Sequence, residues 1–128
     1  MDAQFEEIVL QTIDKMLRST FGPTTTEIIY IHLKNKSCPK SEIPRKLTVF
    51  HSELINILEI QTSNRVGIRN DISILGTTAV LEKAITKRLC KKLGVEFNEV
   101  GPIDFPDYIK KINKVYYHNK KLASLRDI

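Results

Sequence analysis

Lys87, Arg88, Lys91 and Lys92, and again Lys110, Lys111, Lys114, Lys120 and Lys121, carry the clearest chemical suggestion in the sequence. Both runs bring cations together at spacings that can neutralise an anionic partner. In the second run Tyr116, Tyr117 and His118 interleave with the lysines, a pattern able to hold phosphates and stack on exposed bases. The net charge of +5 lies in this part of the chain. Residues 1–79 hold nine basic and nine acidic side chains, and residues 80–128 hold eleven and six. The asymmetry marks either a surface for an anion such as nucleic acid or the solvated faces of two Lys-rich helices.

Chemistry of other kinds has little to stand on. The sequence contains no Gly-x-Ser-x-Gly, no His-Glu-x-x-His and no dinucleotide fingerprint, and His32, His51 and His118 are scattered. His32 has no carboxylate, Cys or Ser at a spacing that would activate it. Cys38 and Cys90 stand apart without a Cys-x-x-Cys spacing and read as reduced structural thiols. Asn64 to Arg69 offers one Gly and no Lys-Ser/Thr pair, so it is not a phosphate loop. No cofactor, metal or catalytic function is expected. With no Trp and 7% aromatic residues, a carbohydrate or base-stacking platform is disfavoured as the main purpose of the fold.

These side chains must be positioned by helices. Leu81, Ile85, Leu89 and Leu93 recur every fourth residue with Ala84 beside them, predicting a helix from Gly76 to Leu93 closed by a left-handed Gly94. Glu82, Lys83, Thr86, Lys87, Lys91 and Lys92 are assigned to its solvated face. Phe5, Val9, Ile13, Met16 and Leu17 predict a first helix over about residues 4–20, ended by Phe21-Gly22-Pro23. Thr24 and Glu27 have the spacing of a capping box for a second helix, about 25–34, although the β-branched run around Ile28 suits a strand equally. Lys36 to Pro44 reads as a loop with two prolines, Pro39 and Pro44, and a short turn where Ser41-Glu42 leads into Ile43. Leu47, Phe50, Leu54, Ile57 and Leu58 predict a third helix over about 48–60, capped by Thr48. Asp104 caps a fifth, in which Phe105, Tyr108, Ile109, Ile112, Val115 and Tyr116 form the apolar stripe and Pro106 sits in the first turn.

Residues 61–74 fit no pattern and read as a long loop. Val66, Ile68, Ile72, Ile74 and Leu75 around it can form a partner groove or a homodimer seam. Apolar runs are too short to span a bilayer and the acidic start, Met1 to Glu7, is unlike a signal peptide, so a cytoplasmic protein without membrane contact is expected.

Several of these motifs together resemble a small archaeal family known as the Nitrosopumilus output domain. The resemblance covers roughly residues 4–96. It rests on Phe21-Gly22-Pro23, Tyr30-x-x-Leu33, Glu42-Ile43-Pro44 leading to Phe50 and Leu54, and Leu75-Gly76 with Ala79, Leu81, Glu82, Ile85 and Leu89. It implies an output or regulatory role in archaeal signal transduction or transcription and supplies no catalytic residues. The chain departs from the family in its extra residues between Leu58 and Leu75 and in its basic fifth helix.

The expectation is an all-α single domain, a compact bundle of about five helices. Residues 1–96 form an output-like unit, and 97–128 a linker with a basic helix packed on it or projecting. The expected function is that of a non-enzymatic regulatory or adaptor domain acting by contact with a protein partner or a second copy. The alternative is nucleic-acid binding through the basic C-terminal half.

Overall fold

Every element in the computed structural model, which describes residues 2–60, 77–98, 101 and 103–126, is helical, and no strand occurs among them. Helix α1 spans Ala3–Asn35 and is broken at Gly22, whose φ of 84° and ψ of 166° are not helical. The break follows from chemistry: Pro23 cannot continue a hydrogen-bonded helix, and only Gly adopts this region at low cost. The Thr26 hydroxyl donates to the Gly22 carbonyl at 2.7 Å and secures the new first turn. A Cβ at Gly22 would meet open space. Gly22→Ala is therefore expected to cost about 1–3 kcal/mol through backbone strain alone, measurable by urea denaturation.

The anticipated capping box is corrected. Glu27 does not turn back to its own helix start; its carboxylate takes Arg18 Nη2 at 2.6 Å across the break. Pro23 opens the second arm instead, lacking the N–H that a cap would satisfy.

The two arms are also joined through Asp14. It accepts from the Tyr30 hydroxyl at 2.6 Å and from Arg18 Nε at 3.0 Å, with Lys40 Nζ 3.3 Å away. Burial pushes this carboxyl up, but the Tyr30 and Arg18 hydrogen bonds and the Lys40 charge outweigh it and hold Asp14 below the usual carboxylate range. A carboxyl depressed by folding stabilises the native state above its unfolded pKa and loses that contribution as pH falls through the folded value. Tyr30→Phe is therefore expected to lower stability at neutral pH and to flatten the loss below about pH 4, as read from denaturant midpoints across pH 2–7.

A 3-10 turn, Lys40–Arg45, follows and packs on α1, with Ile43 and Pro44 buried. Helix α2, Leu47–Ile55, then passes into a π-helical turn at Asn56–Ile60. Its start is one residue earlier than anticipated, and Thr48 is not its cap: that position falls to Lys46, which makes no side-chain capping bond. Residues 61–76, with the anticipated loop and its apolar residues, lie outside the described residues.

Helix α3, Thr77–Leu93, touches α1, α2 and the last helix. It closes as expected: Val95 N–H bonds the Cys90 carbonyl at 2.8 Å and Gly94 N–H the Lys91 carbonyl at 3.4 Å, with Gly94 at φ 70°. Helix α4, Phe105–Arg126, begins where anticipated, with Asp104 Oδ1 accepting from Asp107 N–H at 3.1 Å. Its first half is buried through Phe105, Ile109 and Ile112, and its second half lies over the start of α1. There Tyr116 packs 5.7 Å from Phe5, and Lys120 reaches Asp2 and Gln4.

The core unites Phe5, Val9, Ile13 and Leu17 of α1 with Phe50 and Leu54 of α2, Leu81, Ile85 and Leu89 of α3, and the buried face of α4. Cys38 and Cys90 are free, buried thiols, and burial raises the pKa of both. No described helix is long and apolar enough to cross a membrane.

Candidate functional site

The apolar stripe of α3 faces inward as its spacing requires, but the face assigned to solvent divides. Glu82 and Thr86 are buried, 2% and 0% exposed, whereas Lys87, Arg88, Lys91 and Lys92 are exposed. The correction has a physical cause. Thr86 donates to the Glu82 carbonyl at 2.8 Å, and Glu82 Oε2 lies 2.6 Å from His51 Nδ1 on α2. A buried carboxylate is tolerable only with such a partner. Opposite an ionised Glu82, which can only accept, the hydrogen of this bond lies on His51 Nδ1. Lys83 is likewise engaged, donating to the Gly101 carbonyl at 2.8 Å.

The His51 ring, 36% exposed, borders a cleft of 380 Å³ with Thr48, Asp104, Asp107 and Lys110. His32 also has a partner that local spacing hid, Glu53 Oε1 on α2 at 2.8 Å. That bond draws the Glu53 carboxyl below its ordinary pKa. Among the described residues no group of three or more His, Cys, Asp or Glu is placed to hold a metal ion.

A larger open cleft, 590 Å³, lies between α1, the exposed side of α3 and the segment after it. Met16, Val95 and Phe97 form its apolar floor, and Lys87, Arg88 and Lys91 its rim. Phe97 is fixed by Tyr108, with ring centroids 5.6 Å apart. Beside it a second hollow of 320 Å³ is lined by Thr12, Lys15, Arg88, Lys91 and Lys92. The two hollows adjoin at Arg88 and Lys91, and between them five cations line this α1–α3 surface. Lys15, Lys87, Arg88, Lys91 and Lys92 have no ion-pair partner among the described residues.

The anticipated cations of α4 are placed differently. Lys110 borders the His51 cleft, Lys111 pairs with Asp107 at 3.5 Å, and Lys120 approaches Asp2 at 3.5 Å while lying over the Tyr116 ring. Lys114 and Lys121 are exposed. Tyr116 is half-buried against Phe5, so it is not free to stack on a base. The nine candidates thus separate into an α3 group beside an apolar floor, with no ion-pair partner among the described residues, and an α4 group that includes two paired members.

Sequence reasoning passed over Lys15 and Phe97, and placed Met16 only in the core. Folding brings Lys15 and Met16 to α3 from a distant part of the chain, and Phe97 returns to it beyond the Gly94 turn. Comparison of the chain with protein-family models, with curated proteins and with solved structures finds no match.

Proposed function

We propose that this chain is a non-enzymatic regulatory or adaptor domain that works by protein contact through the depression between α1 and α3. One observation carries the reading: cations with no ion-pair partner among the described residues border an apolar floor. Protein interfaces join an apolar centre to a polar rim, and Met and aromatic side chains are favoured at that centre. Phosphate contacts need only the cations and leave such a floor unused. The family resemblance over residues 4–96 supports a regulatory role in archaeal signal transduction or transcription, and that assignment rests on the resemblance.

Nucleic-acid binding is the second reading, favoured by the charge of the same group. A photo-crosslinking amino acid at position 91, irradiated in cells of the source organism, separates the two. The adaptor reading expects adducts that resist nuclease and collapse with protease. Nuclease-sensitive adducts, or no adducts, would overturn it.

A further inference from the structure

Resting on the protein-contact reading, we infer that the occupant of the depression is an acidic amphipathic helix of a partner protein, with a bulky apolar anchor between carboxylates. The rim supplies the register. Lys87 and Lys91 are one turn apart on α3, a rise of about 6 Å, and carboxylates at i and i+4 of a facing helix stand at the same interval, about 5–6 Å. Arg88 and Lys92 repeat that interval on the adjoining row, and Lys15 faces them from α1. A partner carrying two or three carboxylates along one edge therefore meets a cation at each turn. Its anchor is received by Met16, Val95 and Phe97, which line the same cleft as Lys87, Arg88 and Lys91.

Charge also selects against the competing occupants. A second copy of this chain carries the same excess of five positive charges. Three acidic side chains near its start are already engaged: Asp2 with Lys120, Glu6 with Arg45 and Glu7 with Gln11. A nucleic acid would satisfy the cations, but Phe97 is packed on Tyr108, and the floor would make no contribution to a phosphate ladder. Both charge and floor are used only by a ligand that is acidic on its flanks and apolar at its centre.

The test is fluorescence anisotropy on the full chain with a labelled, helix-forming peptide of about 16 residues that carries one Leu-Phe anchor flanked by Glu. A control peptide keeps the Glu residues and replaces the anchor with Gln-Gln. The anchored peptide is expected to bind with a Kd on the order of 10 μM, and the control at least tenfold more weakly. Charge reversal by Lys87→Glu with Lys91→Glu, and separately removal of the floor by Phe97→Ala or Met16→Gln, should each weaken binding about tenfold. Circular dichroism melts confirm that each variant is folded, and the two floor variants on different elements guard against loss of one. Because the floor contributes, the salt dependence should be shallow.

Equal binding of the two peptides, or binding unaffected by both floor variants, would overturn the inference. So would absence of peptide binding. Protease-sensitive, nuclease-resistant adducts at position 91 would then leave the adaptor reading standing. If a single-stranded oligonucleotide binds instead, with affinity falling steeply in salt and indifferent to Phe97→Ala, both fail together.

Discussion

Phe50→Ala is expected to destabilise the fold by about 4 kcal/mol, the largest effect of any single substitution considered. Phe50 is wholly buried, and its ring lies 6.1 Å from that of Phe105, itself wholly buried. The pair joins α2 to the start of α4, the helix whose N-terminal half seals the bundle. Truncation removes the ring's transfer free energy and leaves a cavity flanked by Phe105. The neighbouring helices cannot close it without breaking their own contacts. Chemical denaturation followed by circular dichroism measures the change. A loss below about 1 kcal/mol would mean the ring is not packed as described. Lys114→Ala, an exposed position on α4, is the control and should fall within about 0.5 kcal/mol of the parent.

The second large effect belongs to the His51–Glu82 pair. His51→Leu is expected to cost about 2–3 kcal/mol, because it removes a charged-acceptor hydrogen bond from a buried carboxylate. Only 3% of the Glu82 side chain is exposed and the bond is 2.6 Å long, so losing this donor costs more than it would at a solvated carboxylate. Glu82→Gln keeps the shape and an acceptor oxygen, and should cost less, about 1 kcal/mol. A double-mutant cycle with His51→Leu and Glu82→Leu should show favourable coupling of about 1–2 kcal/mol. Additive losses would mean the two side chains do not interact.

Most of the helical scaffold is legible in local sequence. Gly22-Pro23 breaks α1, Gly94 closes α3 and Asp104 opens α4 because each residue acts within one turn of itself, where backbone geometry and spacing determine the outcome. The residues that escaped such reading act over distance. Glu82 looks like a surface residue because a charge is usually solvated, and a histidine 31 positions earlier is one of the partners of its buried carboxyl. Glu27 has capping-box spacing, yet Arg18 on the other arm outcompetes the backbone for its carboxylate. The four cations of α3 are legible as a group, but their value as a site comes from Met16 and Phe97, which arrive from both sides of the helix only on folding. The cations of α4, equally prominent in sequence, lose their apparent unity because Lys111 and Lys120 are held by acidic neighbours.

The central claim is that the α1–α3 depression, and not the lysines of α4, is the working surface. An NMR titration of the uniformly 15N-labelled chain with the anchored acidic peptide tests it most directly. Amide shifts are predicted to concentrate at residues 12–16, 84–92 and 95–97, with residues 110–121 unchanged. Shifts centred on residues 110–121, or spread evenly over every exposed lysine, would contradict the account.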